Sequence, residues 1–411
     1  MKKFLPYNTI GKEEVAAVNK VMKTGVLSKF LGSSGKDFLG GPQVIKFENS
    51  IKKYFKVKYA ITVNSWTSGL IASVGALDVS PGDEIIVTTW SMCASATAIL
   101  HWNCIPVFAD IDPDTYNIDP NSIEKKITKK TKAIMTVDIF GQSCDILKIM
   151  KIGKKHNLKV ISDSAQSIGS KVGGKYSGTL ADIGGYSLNY HKHINTGEGG
   201  IIVTNNKKLY ERACLIRNHA EAAINKKSNK SQLSNMVGYN FRMGELECAI
   251  GIQQLKKLKK LIKERQFFIK ILNKELSKLK FLHIPKTINK NTHIYYLYPI
   301  KYDYLSSGVS RQKLVEKLRL NKVPYLIEGY VNIHLLPIFQ KKIAYGNKSF
   351  PWVYKNKKYS YKKGICPIAE ELHDKSFFAI EICLFKLDKR NIKFIINQFK
   401  KTWKELFFEN V

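Results

Sequence analysis

Short apolar segments alternate with helix-like segments between residues 59 and 163, and this alternation is the strongest restriction on the fold of the chain. The strand-like segments are Tyr59–Val63, Ile85–Thr89, Ile105–Asp110, Ala133–Asp138 and Lys159–Asp163. Helix-like segments at Ser65–Leu77, Cys93–His101 and Asp145–His156 separate most of them. Buried strands joined by helices are typical of a parallel sheet that is covered on both faces. The sequence therefore predicts an α/β fold with a mostly parallel central sheet.

The length of the chain and a change in its pattern indicate two domains. The chain has 411 residues, enough for a large core and a second unit. A long helix begins in the stretch GYNFRMGELECAIGIQQLKKL, and the chain after about Phe268 is less periodic and interrupted by prolines. We predict an N-terminal arm and large domain at residues 1–265 and a smaller α+β domain at residues 266–411.

Composition excludes several classes of protein. A content of 44% hydrophobic and 11% aromatic residues is typical of a folded globular chain. No apolar run reaches the ~18 residues of a membrane span, and the start of the chain lacks the apolar core of a signal peptide. We therefore expect no membrane insertion and a cytoplasmic location.

The seven scattered cysteines contain no CxxC pair, so we expect reduced thiols and no metal site.

The net charge of +34 raises nucleic acid as a partner. The lysines are spread along the chain, and the densest run, Gln253–Arg265, alternates them with Leu and Ile at helical spacing. This spacing favours the solvated face of an amphipathic helix. Because no nucleic-acid-binding module is recognisable, we expect no specific nucleic-acid binding, whereas attraction to a small anionic substrate fits the charge.

The stretch Ile183–Thr204 carries a lysine in a polar turn between two strand-like pieces. An ordinary lysine has a pKa of ~10.4 and is a poor nucleophile at neutral pH. Desolvation lowers that pKa and makes the free amine available for chemistry. Lys192 is therefore a candidate nucleophile, with Ser187 and Glu198 in the same turn. The alternative is that Lys192 is one of many surface lysines.

The stretch NSWTSGL (Asn64–Leu70) lies between a predicted strand and a predicted helix. Hydroxyl side chains and free backbone N–H groups at a helix N-terminus bind anions, which makes Thr67 and Ser68 candidate phosphate ligands. An ordinary helix cap is the alternative.

Three carboxylates, Asp110, Asp138 and Asp163, follow predicted strands, where open α/β sheets bind ligands, so each is a candidate site residue. A carboxylate that is buried there needs a cationic partner, because an unpaired buried charge is costly. For Asp163 a pyridinium nitrogen would serve, and capping of the next helix is the alternative. A phosphate site, a strand-end carboxylate and an activated lysine together are what pyridoxal 5'-phosphate requires.

Several stretches together resemble the DegT/StrS family of sugar aminotransferases, which are fold-type-I pyridoxal-phosphate enzymes that include perosamine synthases. The stretches are FLGGPQVIKFE, NSWTSGL, PGDEIIV, IPVFADID, DSAQSIG, SLNYHKHINTGEGG, RNHAE and GYNFRMGELECAIG. The resemblance extends from about Asn8 to Leu258 and is only loose in the C-terminal third.

The resemblance implies a role for particular residues. Lys192 would form the Schiff base with the cofactor, Asp163 would pair with the pyridine nitrogen, and Gln166 would contact the phenolic oxygen of the ring. The phosphate would be held by three hydroxyl residues, Thr67, Ser68 and Ser187. Asn240 would reach the phosphate in the neighbouring subunit, so the resemblance implies a homodimer with shared active sites.

The chain departs from the family pattern at three positions. Met92 stands where the family usually places an aromatic residue over the ring, with Trp90 two residues earlier, so either side chain is a candidate for that contact. Trp66 replaces a residue that is small in many relatives, and it either narrows the pocket or packs beneath it. RNHA replaces RNHG and ends at Ala220, which predicts a different backbone conformation at the start of the next loop.

The lysine itself separates two activities within the family, because relatives that act as dehydratases carry histidine at its position. Ser187 lies five residues before Lys192 and Thr196 lies four after it, which matches the family spacing. The resemblance therefore implies an aminotransferase that moves an amino group from glutamate or glutamine to a keto-sugar. We expect a nucleotide-linked 4-keto-6-deoxy sugar, used for surface polysaccharide such as lipopolysaccharide.

Other interpretations stay open at this point. A pyridoxal-phosphate-dependent sugar dehydratase and a keto-cyclitol aminotransferase are alternatives within the family. A basic nucleic-acid-binding or regulatory protein that keeps the fold without catalysis is the alternative from another class. His219, His334 and the lysines of the loop at 225–230 are candidates for contacts with a substrate hydroxyl or diphosphate.

Overall fold

A computed structural model describes residues 4–33, 35–221, 237–288, 291–354 and 359–407 of the chain. Its strands are β1 (Tyr59–Val63), β2 (Glu84–Thr88), β3 (Ile105–Ala109), β4 (Thr131–Val137), β5 (Lys159–Asp163), β6 (Lys171–Val172), β7 (Lys175–Tyr176), β8 (Ile183–Ser187), β9 (Gly200–Thr204), β10 (Leu282–His283), β11 (Tyr298–Tyr302), β12 (Leu326–Glu328) and β13 (Phe377–Ile380). Its helices are α1 (Lys12–Thr24), α2 (Pro42–Phe55), α3 (Trp66–Ala76), α4 (Ala94–His101), α5 (Pro120–Lys126), α6 (Ile146–Lys155), α7 (Lys207–Arg217), α8 (Glu245–Leu276), α9 (Tyr304–Ser307), α10 (Arg311–Leu320), α11 (Pro337–Gln340), α12 (Pro367–Glu371) and α13 (Lys389–Phe407).

Seven strands form the central sheet, in the order β1-β9-β8-β5-β4-β2-β3. Strands β8, β5, β4, β2 and β3 pair in parallel, whereas β9 is antiparallel to both of its neighbours. The five strands predicted between residues 59 and 163 all form, with ends that differ by at most two residues. The predicted α/β fold with a mostly parallel sheet is confirmed.

The central strands are buried on both faces, which their continuous apolar sequences require. Helix α3 packs against α4, α7 and several strands of the sheet, and its small residues allow that close approach. A side chain at Gly75 would come within 2.2 Å of the Trp102 ring, so only glycine fits there. Among the described residues, no helix is long and apolar enough to cross a membrane.

A second, antiparallel sheet has the strand order β10-β11-β13-β12. Helix α8 connects it to the central sheet without interruption, and the predicted boundary at residue 265 lies inside this helix. Its apolar residues up to Ile262 belong to a core with α2, and those from Ile269 onward belong to the core of the second sheet. The chain from Ile333 to Cys383 also places side chains in the core of the central sheet.

The N-terminal arm connects the second sheet to the turn that carries Lys192. Phe4 packs on Phe385 at a ring distance of 5.1 Å, and the Tyr7 backbone N–H donates to the Leu384 carbonyl at 3.1 Å. The Tyr7 hydroxyl donates to the carbonyl of His193 at 2.9 Å. The arm therefore contacts the residue that directly follows Lys192.

A buried ion pair joins α2, β1 and α7. Arg217 Nη1 lies 2.7 Å from Glu48 Oε1 and also donates to the Thr62 carbonyl at 3.1 Å. The same Glu48 oxygen accepts from the Thr62 backbone N–H at 2.9 Å. A charge buried in this way depends on its partner, because losing one member leaves the other without compensation.

We expect Glu48→Gln to lower the free energy of unfolding by about 3 kcal/mol, because Arg217 keeps its charge and loses its buried counterion. Denaturant unfolding of the full chain measures the change. The matched control is Glu211→Gln, since the Glu211 side chain is 57% exposed in its pair with Lys207. The control should change the free energy by less than about 0.5 kcal/mol. Equal effects of the two variants contradict the prediction.

Candidate active site

A cavity of about 300 Å³ opens at the carboxyl ends of the parallel strands, beside the N-terminus of α3. Six residues predicted from the sequence line it, namely Thr67, Met92, Asp163, Gln166, Ser187 and Lys192. Ligands of open α/β sheets bind at this edge because loops of several strands meet there. The fold therefore brings together residues that are up to 125 positions apart in the chain (192 − 67 = 125).

Lys192 lies in the turn after β8 and is only 8% exposed. Burial lowers the pKa of its amine to about 8, although the negative charge of Asp163 acts in the opposite direction. Its Nζ lies 4.3 Å from the centre of the Tyr296 ring, a residue that precedes β11. Lys192 is therefore not one of the solvated surface lysines, and its amine loses its proton more readily than an ordinary lysine does.

Asp163 ends β5 and accepts three hydrogen bonds from the protein. Trp66 Nε1 donates to Oδ1 at 2.6 Å, the Ala165 backbone N–H donates to Oδ1 at 3.2 Å, and Ser95 Oγ donates to Oδ2 at 2.8 Å. Burial raises the pKa of Asp163, whereas these donors and the charge of Lys192 lower it. The carboxylate is thus held in one orientation at the wall of the cavity.

The N-terminus of α3 and the end of β8 supply hydroxyl groups. Ser65 caps α3, because its Oγ accepts from the Ser68 backbone N–H at 3.1 Å, and the two hydroxyls lie 2.9 Å apart. Thr67 takes no part in that cap and lines the cavity with Ser187, whereas Ser68 is not among the lining residues. The positive end of the helix and two hydroxyls therefore face the cavity, an arrangement that suits an anion.

Gln166 is fixed at both ends of its amide. Its Oε1 accepts from the Phe140 backbone N–H at 2.7 Å, and its Nε2 donates to the Tyr330 hydroxyl at 3.2 Å. Phe140 follows β4 and Tyr330 follows β12, so segments that come after strands of the two sheets hold this side chain.

Met92 and Trp90, the two candidates for contact with the cofactor ring, differ in how far they are buried. Met92 is 59% exposed and lines the cavity. Trp90 is fully buried and packs edge-on against Phe377 at a ring distance of 4.9 Å. Only Met92 is in a position to contact a ligand in the cavity.

The other strand-end carboxylates are not part of the site. Asp138 is fully buried and accepts from Ser164 Oγ at 2.5 Å and from the Cys144 backbone N–H at 2.9 Å. Asp110 accepts from the Ile368 backbone N–H at 2.9 Å and so holds the start of α12. Both residues stabilise the fold, and their prediction as site residues was wrong.

The predicted substrate contacts receive little support from their positions. His334 is fully buried, with Nε2 2.9 Å from Glu370 and Nδ1 against Thr89, so its assignment as a substrate contact was wrong. His219 is exposed beside Arg242 and does not line the cavity. The lysines at 225–230 lie outside the described residues.

Asn240 lies outside the cavity of its own chain. It is exposed, and its Oδ1 accepts from Arg242 Nε at 2.8 Å. Ala220, in the chain segment after α7, has a φ of 59°, which is the left-handed region that glycine favours. The alanine therefore adopts a conformation that the glycine of the usual pattern would adopt more easily.

Sequence reasoning missed several contacts of the site. Ser95 and Tyr296 were not singled out, and the bond from Trp66 to Asp163 was not foreseen. Ser95 lies three residues after Met92, where the chain departs from the family pattern, and Tyr296 lies where the resemblance is loose. Both contacts depend on the packing of distant segments, which no local pattern encodes.

An α/β sheet that presents a buried lysine, a fixed carboxylate and a hydroxyl-lined helix N-terminus at one cavity defines a pyridoxal-phosphate-dependent enzyme. Comparisons with known proteins agree. The family model of the DegT/DnrJ/EryC1/StrS aminotransferase family matches residues 8–376. The chain belongs to this family of pyridoxal-phosphate-dependent sugar aminotransferases, which confirms the predicted family, enzyme class and cofactor.

Three relatives show how far the similarity extends. GDP-perosamine synthase of Escherichia coli O157:H7 is 35% identical over 305 residues, 74% of this chain and 80% of the relative. dTDP-3-amino-3,6-dideoxy-alpha-D-galactopyranose transaminase of Aneurinibacillus thermoaerophilus is 37% identical over 291 residues, 71% of this chain and 75% of the relative. The aminotransferase from Psychrobacter cryohalolentis superimposes with a TM-score of 0.84 at 26% identity, covering 98% of this chain and 100% of that one.

The residues of the cavity fit pyridoxal phosphate. Lys192 offers the amine, Asp163 offers a carboxylate for the ring nitrogen, and Thr67 with Ser187 offers hydroxyls for the phosphate. When bound, the cofactor supplies an aldehyde that carries amino groups and a ring that takes up electrons. In the part of the chain that the structure describes, no group of three or more His, Cys, Asp or Glu residues is arranged to hold a metal.

The apoprotein should react with pyridoxal phosphate at a rate that rises with pH and levels off above about pH 8, because Lys192 loses its proton near that value. The growth of the visible absorption band of the bound cofactor measures this rate. Lys260→Ala, at a side chain that is 81% exposed, is the matched control and should leave the profile unchanged. A rate that still rises near pH ~10, as for an ordinary lysine, contradicts the lowered pKa.

Proposed function

We propose that this protein transfers an amino group from glutamate or glutamine to the keto group of a nucleotide-linked 4-keto-6-deoxy sugar, for surface polysaccharide synthesis. The observation that carries the proposal is the buried amine of Lys192 in the cavity, at the position where dehydratase relatives have histidine. Two relatives described above are named for amino sugars linked to different nucleotides, GDP and dTDP. Both names support an amino sugar as the product and leave the nucleotide open, and the 3-amino group in the second name leaves the ring carbon open as well.

Three residues of the cavity have separate roles in amino transfer. Lys192 Nζ, once neutral, would move a proton between the reacting carbon of the bound substrate and the cofactor, in opposite directions for the amino donor and the keto-sugar. Asp163 keeps a proton on the ring nitrogen, because a buried carboxylate favours a cationic partner. Gln166 orients the ring through its amide, which Tyr330 and the Phe140 backbone hold in place.

We propose a homodimer in which Asn240 completes the site of the partner subunit. Asn240 is exposed and lies outside the cavity of its own chain. The nearby Arg242 guanidinium lies 6.0 Å from the Phe30 ring, in a segment that exposes apolar side chains. The exposed apolar residues of the first two helices and their connection are Val15, Met22, Val26, Leu27, Leu31, Leu39 and Ile45. A second copy of the chain would cover such a surface.

The cytoplasmic location stays a prediction from the sequence.

Incubation with ¹⁵N-glutamate and GDP-, UDP- or dTDP-linked 4-keto-6-deoxy sugars should give an amino sugar that carries the heavy nitrogen, detected by mass spectrometry. Lys192→Ala should abolish the product, because no amine remains to move the proton. Lys260→Ala is the control and should retain activity. A product that loses a hydroxyl and gains no nitrogen assigns the dehydratase reaction instead. If no nucleotide sugar reacts, a free keto-sugar or cyclitol replaces the proposed substrate.

Co-expression of Lys192→Ala with Asn240→Ala should restore activity that each variant lacks alone. Random pairing makes half of the dimers mixed, and one site in each mixed dimer is intact, so about a quarter of the wild-type activity should return. The control pair is Lys192→Ala with Asp163→Asn, whose residues belong to the same subunit in each site and which should restore nothing. Equal results for the two pairs contradict a shared site.

A further inference from the structure

Trp66 fills a slot that glycine residues leave open. It is the first residue of α3 and is buried, with its indole against β8. A side chain at Gly185 would come within 2.2 Å of the indole ring, and one at Gly69 would come within 2.6 Å. The orientation of the indole is therefore set by the backbone of the sheet and of its own helix.

The indole N–H donates to Asp163. The lone-pair positions of the carboxylate can then be counted to find which of them has no donor. A carboxylate has about four lone-pair positions, two on each oxygen. Oδ1 accepts from Trp66 at 2.6 Å and from the Ala165 backbone at 3.2 Å, so it is full. Oδ2 accepts from Ser95 at 2.8 Å, and among the described residues no second donor reaches it. One acceptor position is left, on Oδ2.

We propose that Trp66 is a positioning residue that saturates Oδ1 of Asp163 and so directs Oδ2 to the ring nitrogen of pyridoxal phosphate. The inference deepens the proposed function and rests on it. Trp66 is one of the three positions at which this chain departs from the family pattern. The proposed role differs from the two considered for it above, which were to narrow the pocket or to pack beneath it.

The physical reason is the strength and direction of a hydrogen bond to a charged acceptor. Such a bond favours the ionised carboxylate and restricts its rotation. Burial raises the pKa of Asp163, and the donors Ser95 and Trp66 lower it. Among the described residues, the charges of Lys192 and Tyr330 act on Asp163, and His191 and Glu198 line the same cavity. Removal of the indole donor therefore raises the pKa of Asp163 and frees the carboxylate to turn.

The first test observes the bond in the apoprotein of the full chain. The chain has five tryptophans, so five indole N–H signals are expected in a ¹H–¹⁵N spectrum, and Trp66→Phe identifies one of them by its loss. We expect Asp163→Asn to move the Trp66 indole signal upfield, because the acceptor loses its charge. The Trp102 indole, which donates to the Ile71 carbonyl at 2.7 Å, is the internal control and should not move.

The second test measures the dissociation constant of pyridoxal phosphate. Trp66→Phe keeps an aromatic ring and removes the donor, so the constant should rise about tenfold, as expected for the loss of a bond to a charged group. As the pH is lowered, Trp66→Phe should also begin to lose pyridoxal phosphate at a higher pH than the wild type, because its Asp163 is protonated more easily. Trp102→Phe removes a comparable buried indole bond away from the cavity and should change neither quantity.

The outcomes separate this inference from the proposed function. If Lys192→Ala keeps the visible absorption band of the cofactor, the proposed function fails. If that band is lost as expected, the proposed function stands. The role of Trp66 is then overturned if Trp66→Phe has the same dissociation constant for pyridoxal phosphate as the wild type, or the same as Trp102→Phe. Should Trp66→Phe fail to fold, the role is overturned if none of the five indole signals shifts in Asp163→Asn.

Discussion

The parallel pairing of β5 with β8 is the constraint on which the site depends. It sets Asp163 beside Gly185, so that the last residues of both strands reach the same edge of the sheet. Because β9 returns antiparallel to β8, the connection between them must turn sharply, and the Thr196 N–H closes that turn on the Leu188 carbonyl at 2.9 Å. Lys192 lies within this closed turn. A change of register would separate the amine from the carboxylate.

Burial decides the chemistry of the amine against the attraction of nearby charge. Asp163 favours the cationic form of Lys192, yet desolvation has the larger effect and lowers the pKa of the amine to about 8. The Tyr296 ring helps to exclude water from the amine, and it comes from the segment that leads into the second sheet. The reactivity of Lys192 therefore depends on the contact between the turn after β8 and the segment that leads into β11.

The strands were predictable because an apolar run between polar turns has few alternatives in a long chain. Six of the predicted site residues meet at one cavity, whereas Ser68 and Asn240 do not line it. The predictions for Asp110, Asp138 and His334 failed for one reason. A polar residue at a strand end or in a loop can face a ligand or bond to the interior, and the choice depends on segments that are distant in the sequence.

The sequence by itself determined the order of strands and helices, the family and the residue types that pyridoxal phosphate needs. Local patterns suffice for this, because hydrophobic periodicity and motif spacing act over a few residues. Only the tertiary structure decided which residues hold those groups in place. Trp66 and Ser95 fix Asp163, and Tyr296 covers Lys192, through contacts that join segments between 68 and 104 residues apart (163 − 95 = 68, 296 − 192 = 104). Such contacts exist only after the chain has packed, since their geometry is set by burial and not by sequence distance.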